Sequence, residues 1–306
     1  TTANENTAIG YTALSANTTA AGNTAVGSRS LLATTTGATN AGLGKDTLAA
    51  NTTGASNTAV GASALASNTT AANNTAVGKS ALLLNTTGDR NVAVGALALD
   101  ANTTADANTA VGYEALTTNT TAEGNTAVGF GSLRLNTTGG GNTGIGQNAL
   151  YSNTTAASNT AVGKSALAAN TTGTENVAIG MQSCDAQTTA SYNTALGFDT
   201  LSANVLGGRN VAIGRAALQV MNPASAVDTY NTAVGYGAGE SITTGTANTL
   251  VGSFSGDSFT TGAVNTGFGY ATLNNMTGAA SSNTGLGYAA GTSITSGSNN
   301  IAIGSN

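Results

Sequence analysis

Short alternations of polar and small or apolar residues recur along this chain, each five residues long and each closed by glycine. The unit reads Asn-Thr-Ala-Val-Gly with close variants, and its first residue falls at Asn6, Asn23, Asn40 and every seventeenth position to Asn210. It resumes at Asn231, Asn248, Asn265, Asn283 and Asn300, which makes eighteen copies. Alternation over so few residues predicts a short strand. Its return at a period near 20 predicts a solenoid, in which each strand stacks on its counterpart one coil away. The expected fold is all-β: a parallel β-solenoid, or β-roll, of about eighteen 17-residue coils. At the usual strand spacing the stack would run roughly 85 Å.

Numbering the unit's Asn as slot 0 gives each position an expected role. Slot 3 is Ile, Val or Leu (Ile9, Val26, Leu43 and onward) with Phe268 as the exception, and slot 1 is mostly Thr, with Val92, Val177, Val211 and Ile301 among its variants. Slots 1 and 3 share one face of a strand, and their β-branched and aliphatic character assigns that face to the interior. Slot 2 is mostly Ala, or Gly at Gly42, Gly144, Gly267 and Gly285. So small a face suggests close approach of a second chain. Slot 4 is Gly in every copy, from Gly10 to Gly304, as a turn with positive φ or without room for a Cβ requires. Slots 5 and 6 vary and carry Arg29, Lys45, Asp46, Lys79, Glu114, Lys164, Asp199 and Arg215, so they are expected to face solvent.

A second core position lies at slot 8, which is Leu from Leu14 to Leu218 except for Cys184. Slot 11 is Asn within Asn-Thr-Thr in most early coils, and a short turn then leads back to slot 0. Each coil is thus expected to hold two extended pieces and two turns. Two core aliphatics contribute about 3–6 kcal/mol per coil, less than the ordering of 17 residues costs at about 1–2 kcal/mol each. A lone coil cannot fold, and the stacked ladder must supply the rest.

The rhythm breaks once, where four extra residues precede Asn231 and the segment Gln219–Tyr230 holds the only proline, Pro223. Beyond it slot 8 becomes Gly239, Gly256 and Gly291, while slot 11 becomes Ile242, Phe259, Met276 and Ile294. Apolar mass has moved from one slot to the other, so both are expected to point inward. The division read from this change is 1–214 regular repeats, 215–230 a loop insertion and 231–306 variant repeats. At the ends, Thr1-Thr2-Ala3 reads as the tail of a repeat, and Ile301-Ala302-Ile303-Gly304 closes on a strand. Neither resembles a cap, as expected of a window of a longer chain or of protomers that stack end to end.

Composition narrows the chemistry. Charged residues are 7% of the chain and the net charge is −5, with 40% hydrophobic residues; this favours an ordered repeat over a disordered tail. The eight Lys and Arg are scattered, which argues against nucleic-acid binding by phosphate neutralisation. No apolar run approaches a membrane span. There is no His, and the single Cys occupies a Leu slot, where a buried inert thiol is expected. The acids show no recurring pair for general acid–base work, no Gly-rich calcium turns repeat, and no phosphate loop is present. No catalytic, cofactor or metal site is expected.

Asn-Thr-Thr is formally an N-glycosylation sequon. Its acceptors are Asn17, Asn51, Asn68, Asn85, Asn102, Asn119, Asn136, Asn153 and Asn170, and Asn73 and Asn275 open two further sequons. The alternative is an inward Asn ladder bonded from coil to coil. Thr18, Thr19 and their equivalents raise a third role, a flat threonine face that binds ice.

Asn-Val-Ala-Ile-Gly at 176–180 and 210–214 and Asn-Ile-Ala-Ile-Gly at 300–304 resemble the head repeats of trimeric autotransporter adhesins. The longer unit, Asn-Thr-Ala-Val-Gly-x-x-Ala-Leu-x-x-Asn-Thr-Thr-Gly, is similar to repeat arrays of bacteriophage tail fibres and bacterial surface proteins. The resemblance covers essentially the whole chain and implies a left-handed parallel β-roll, three chains side by side, and attachment to a surface. This chain departs from the adhesin pattern in its longer coil, and no neck, heptad stalk, anchor barrel or C-terminal chaperone segment of the tail-fibre kind is expected within these 306 residues. The expected function is a non-enzymatic structural fibre or adhesin shaft at a cell or virion surface. Its expected partners are copies of itself and a cell-surface receptor or glycan. An end-to-end extracellular filament and an ice-binding solenoid are the alternatives. Receptor contacts are expected in slots 5 and 6 or in the Gln219–Tyr230 loop.

Overall fold

A computed structural model describes residues 3–306 of the chain; Thr1-Thr2, the start of the expected repeat tail, lie outside the described residues. The chain forms two compact units, one ending at Thr155 and one spanning Ala156–Asn306. The first holds nine three-residue strands, from Thr7–Ile9 to Thr143–Ile145. Neighbours pair parallel and in register at one repeat, as in Thr58↔Thr75 and Ala59↔Ala76. The second holds nine strands of the same kind, from Thr160–Val162 to Ile301–Ile303, and a small parallel pair, Gly207–Gly208 with Val227–Asp228. Both units are parallel β-solenoids in which every coil places a strand at slots 1–3, the Gly207–Gly208 and Val227–Asp228 pair being additional.

The second extended piece expected in each coil is a run of turns instead. Three left-handed residues explain it. Slots 6, 8 and 16 take positive φ in coil after coil, as at Ser63 (60°), Leu65 (50°) and Asn73 (60°). Such a backbone cannot continue a strand, yet its N–H groups still reach neighbouring coils: Leu65 N donates to Ala81 O of the next coil at 3.0 Å, and Ser63 N and Asn73 N donate to Lys45 O and Ala55 O of the preceding one. Slot 4 closes the strand. Gly129 has φ +131, and a Cβ there would lie 2.6 Å from the Gly146 carbonyl oxygen. Glycine is required at slot 4 by both conformation and space.

The interior is the opposite face of the strand from the one expected. Slot 2 is inside: Ala25, Ala59, Ala76, Ala93, Ala110 and Ala127 are fully buried. Slot 3 is outside, with Ile9 60%, Leu43 52% and Leu196 44% exposed. The narrow coil explains the inversion. Leu at slot 8 points in from the far side, and between it and the strand there is width only for a methyl. Asn at slot 0 shares the parity of slot 2 and must also point in. The close approach inferred from small residues is real, but it is made inside the chain's own coils, where a Cβ on Gly42 would meet Ser30 and Leu31 of the preceding coil and Thr47 of its own. At Gly42, Gly144 and Gly267 the space goes to a hydroxyl: Ser132 Oγ donates to Gly144 O at 2.8 Å, and a Cβ on Gly144 would meet the Ser132 Oγ at 2.6 Å.

Polar atoms inside the coil are bonded in a fixed pattern. Asn40 Nδ2 donates to Gly54 O at 2.8 Å, and Asn51 Nδ2 donates to the same carbonyl at 3.0 Å. Asn40 Oδ1 accepts the backbone N–H of Asn57 at 2.9 Å in the next coil. The same bonds recur in the second unit, where Asn231 Nδ2 donates to Gly245 O at 2.8 Å and Asn231 Oδ1 accepts the Asn248 N–H at 3.0 Å. Such bonds let polar side chains be buried without the penalty of an unmet donor or acceptor.

The change of slots after the insertion is an exchange of volume. Gly239 takes φ +61, and a Cβ there would sit 3.0 Å from Ile242 Cδ1 and from Leu218 Cδ2. Ile242, Phe259 and Met276 are fully buried, in the place that Asn holds earlier. The insertion itself does not end a sheet. Val211–Ile213 pairs directly with Thr232–Val234 across it, so residues 215–230 lie within the second unit.

If slots 8 and 11 share one volume, Gly239→Leu alone overpacks the coil and costs about 1–3 kcal/mol. Adding Ile242→Asn then recovers part of that loss. A double-mutant cycle by urea unfolding should give a favourable coupling above about 0.5 kcal/mol; additive losses would show that the slots do not compete.

Candidate surface-contact sites

Three features face outward: the sheet face, an aromatic row beside it, and the corner that carries the insertion. The sheet face follows from the inversion just described. With slots 0 and 2 inside, slots 1 and 3 form two parallel rows, Thr58, Thr75, Val92, Thr109 and Thr126 beside Val60, Val77, Val94, Val111 and Val128. These residues are half-buried or exposed, and no charged residue occupies either slot in any copy.

Slot 5 lies just past the glycine and extends this face. In the second unit its occupants form a continuous row over Phe198, Arg215, Tyr236, Tyr270 and Tyr288, with Phe254 joining from slot 6. The Arg215 guanidinium lies 5.7 Å from the Phe198 ring centroid and 5.4 Å from that of Tyr236. Tyr236, Phe254, Tyr270 and Tyr288 then follow at centroid separations of 5.1, 6.1 and 5.4 Å. A shorter pair, Tyr113 and Phe130, stacks at 5.7 Å in the first unit. Stacked rings fix one another at little entropic cost and leave amphipathic edges outside. The expected solvent exposure of slots 5 and 6 holds for Arg29 and Lys45, which are exposed beside the half-buried Asp46. Arg29 Nε pairs with Asp46 at 3.1 Å across one coil.

The corner lies at slot 16, where Tyr192 and Arg209 stand one coil apart and Tyr230 follows the insertion. Arg209 lies over the Tyr192 ring at 4.3 Å, and its Nε donates to Asp228 Oδ2 at 2.8 Å. Tyr230 Oη donates to the same carboxylate oxygen at 3.2 Å. The insertion brings Asp228 there by pairing Val227–Asp228 with Gly207–Gly208. The sequence places a contact in the loop but not on Tyr192 and Arg209; their shared slot is the signal that would have found them.

The nine Asn-Thr-Thr asparagines point the other way. Eight are fully buried, and Asn17 is half-buried. Asn68 is typical: its Nδ2, the atom a glycan would join, donates to Ala71 O at 3.0 Å and to Asn51 Oδ1 at 2.9 Å. The folded coil therefore holds the inward ladder at these positions, and a glycan there would require the coil to open. Asn73 and Asn275 are exposed. Of the expected ice face, the slot-12 hydroxyls are engaged, as Thr52 Oγ1 is with Thr69 O at 3.0 Å. Thr53, Thr70 and Thr87 at slot 13 are exposed. Cys184 is fully buried, and desolvation pushes its thiol up to about 12, so it stays a protonated core side chain.

No protein-family model and no curated protein matches the chain.

Two measurements follow. Made in a glycosylating host, the folded chain should carry no added mass on the nine Asn-Thr-Thr peptides; peptide mapping should place any glycan at Asn73 or Asn275. Stability should also depend on pH through Asp185 and Asp257, both half-buried. Desolvation raises each carboxyl above its ordinary value, and Asp199 and Glu240 respectively push the same way. A raised folded-state value means the fold binds these protons more readily than the open chain does, so their cost is present at neutral pH. It fades as pH falls through the raised values towards the ordinary 3.8. The thermal midpoint should rise on acidification from pH 7, and Asp185→Asn with Asp257→Asn should flatten that rise.

Proposed function

We propose that this chain is a non-enzymatic structural segment of an extracellular, cell-surface or virion fibre, a solenoid shaft that carries contact surfaces on its outward slots. The observation behind the reading is how the slots divide. One set of inward residues recurs with the same bonds, while the outward slots 5, 6 and 16 differ from coil to coil. A repeat of this kind sets length and register internally and leaves its surface free to vary. The resemblance to trimeric adhesin heads and tail-fibre arrays supports the same reading.

Self-association is part of the proposal, through a different face from the alanine face of the sequence reading. Because slot 2 lies inside the coil, the contact between chains falls on the uncharged rows of slots 1 and 3. Extended apolar surface of this kind is the usual mark of an interaction site. A second reading is supported by the exposed slot-13 threonines and the slot-1 threonines of the sheet: regular hydroxyl rows suited to an ordered water surface, hence to ice.

Light scattering after gel filtration tests the association. Each chain contributes 29.4 kDa, and a mass near three times that value is expected. Val111→Lys with Val128→Lys should return the protein to single-chain mass while leaving its melting temperature within a few degrees, because both side chains point outward. A wild-type protein of single-chain mass would overturn the association, and thermal hysteresis from that monomer would favour the ice reading.

A further inference from the structure

The corner built by the insertion is a site in its own right. Thr189, Ser191, Tyr192, Gly208, Arg209 and Asp228 line a shallow cleft of about 310 Å³, the lower end of the size that small ligands occupy. Tyr192 keeps 43% of its surface exposed although Arg209 covers one face of its ring. Gly208 is small for a reason, since a Cβ there would lie 2.7 Å from Asp228 Oδ1. The cleft depends on residues from three places: two successive corners and the four-residue insertion.

From these groups we propose that the cleft binds a neutral saccharide, one sugar ring at a time. This names a site and a ligand class for the surface contact proposed above, and it rests on that reading. The charge at the site decides between ligand classes. Arg209 is its cation and already pairs with Asp228 at 2.8 Å, so an anion would have to enter beside that carboxylate. An apolar ligand would strip water from the Arg209–Asp228 pair and from the Thr189 hydroxyl without replacing it. A sugar meets both requirements. Its hydroxyls donate to Asp228 and accept from the Arg209 nitrogens that the ion pair leaves free, and its C–H face packs against exposed Tyr192.

The repeat supplies substitutions suited to the test. Tyr192 and Arg209 have φ of 63° and 58°, where most side chains are strained. Slot 16 already accepts Asn at Asn73 and Ser at Ser56 and Ser158, all with positive φ. Tyr192→Asn and Arg209→Ser therefore remove the ring and the cation while keeping a residue that this corner tolerates, and melting curves should stay close to wild type.

Saturation-transfer NMR on the full chain, with methyl glucoside, methyl galactoside, methyl mannoside and N-acetylglucosamine as separate probes, reads the site directly. Contacts this small support about millimolar Kd, so at least one probe should show transfer at about 10 mM. Tyr192→Asn and Arg209→Ser should each weaken it about tenfold or more. Silence from all four sugars would overturn the proposal, as would unchanged binding in both variants. Displacement of the sugar by inorganic phosphate at equal concentration would overturn it too, in favour of an anion site. None of these outcomes bears on the mass of the assembly, so a failed cleft is distinguishable from a failed shaft.

Discussion

Everything in this fold depends on the buried amide at slot 0. Its nitrogen bonds a turn carbonyl of its own coil, as Asn57 does with Ala71 O at 2.8 Å, and its oxygen takes the N–H of the slot-0 Asn that leads into the next strand, as Asn57 does from Asn74 at 3.0 Å. One side chain therefore closes a coil and sets the register of its successor. The task needs a donor and an acceptor on separate atoms of one short planar group, which the Asn amide supplies without charge. Asp would leave the carbonyl facing a carboxylate, and Thr cannot reach both partners. Slot 11 shows the contrast. Its amide donates to a carbonyl that slot 0 already satisfies, so Ile, Phe and Met replace it after the insertion. Slot 0 has no such reserve, which accounts for Asn in all eighteen copies.

The amide ladder also accounts for the strain the chain carries. Leucine at slot 8 takes φ near 50° in coil after coil, a conformation of order 1–3 kcal/mol for a side chain of this kind. It persists because the ladder fixes both neighbouring segments and because Leu in that position fills the space opposite Ala. Glycine would relieve the strain and empty the core. The later coils do both at once: Gly239 and Gly256 take the left-handed position, and Ile242 and Phe259 restore the lost volume from slot 11.

The period, the parallel stacking, the glycine turn and the exchange between slots 8 and 11 were all legible in the sequence, because each depends on spacing or on a residue with one physical meaning. The phase of the strand was not. Alternation says which residues share a face but not which face is inside, and hydrophobicity chose wrongly because Val looks more interior than Ala. The better guide was Asn at slot 0, whose parity with Ala puts both inside once the amide is given a partner. The second extended piece failed for a different reason: Leu, Ser and Asn carry no common mark of a left-handed backbone, and only the coil as a whole imposes it. Tyr192, Arg209 and Asp228 lie at two corners and in an irregular insertion, so their convergence could not be read from the period alone.

These constraints also bear on where function can reside. A substitution at slots 0, 2, 4 or 8 meets the next coil, so those positions have little room to specialise one coil without disturbing its neighbour. Slots 5, 6 and 16 touch chiefly solvent and the same slot one coil away, which lets Phe198, Arg215 and Tyr236 stack into a row without altering the core. The insertion goes one step further. By adding four residues while keeping Val211–Ile213 paired with Thr232–Val234, it leaves the ladder intact and brings a carboxylate beside both Tyr192 and Arg209. In a fold that is otherwise uniform, a local departure that costs no register is the place where a specific contact can be built.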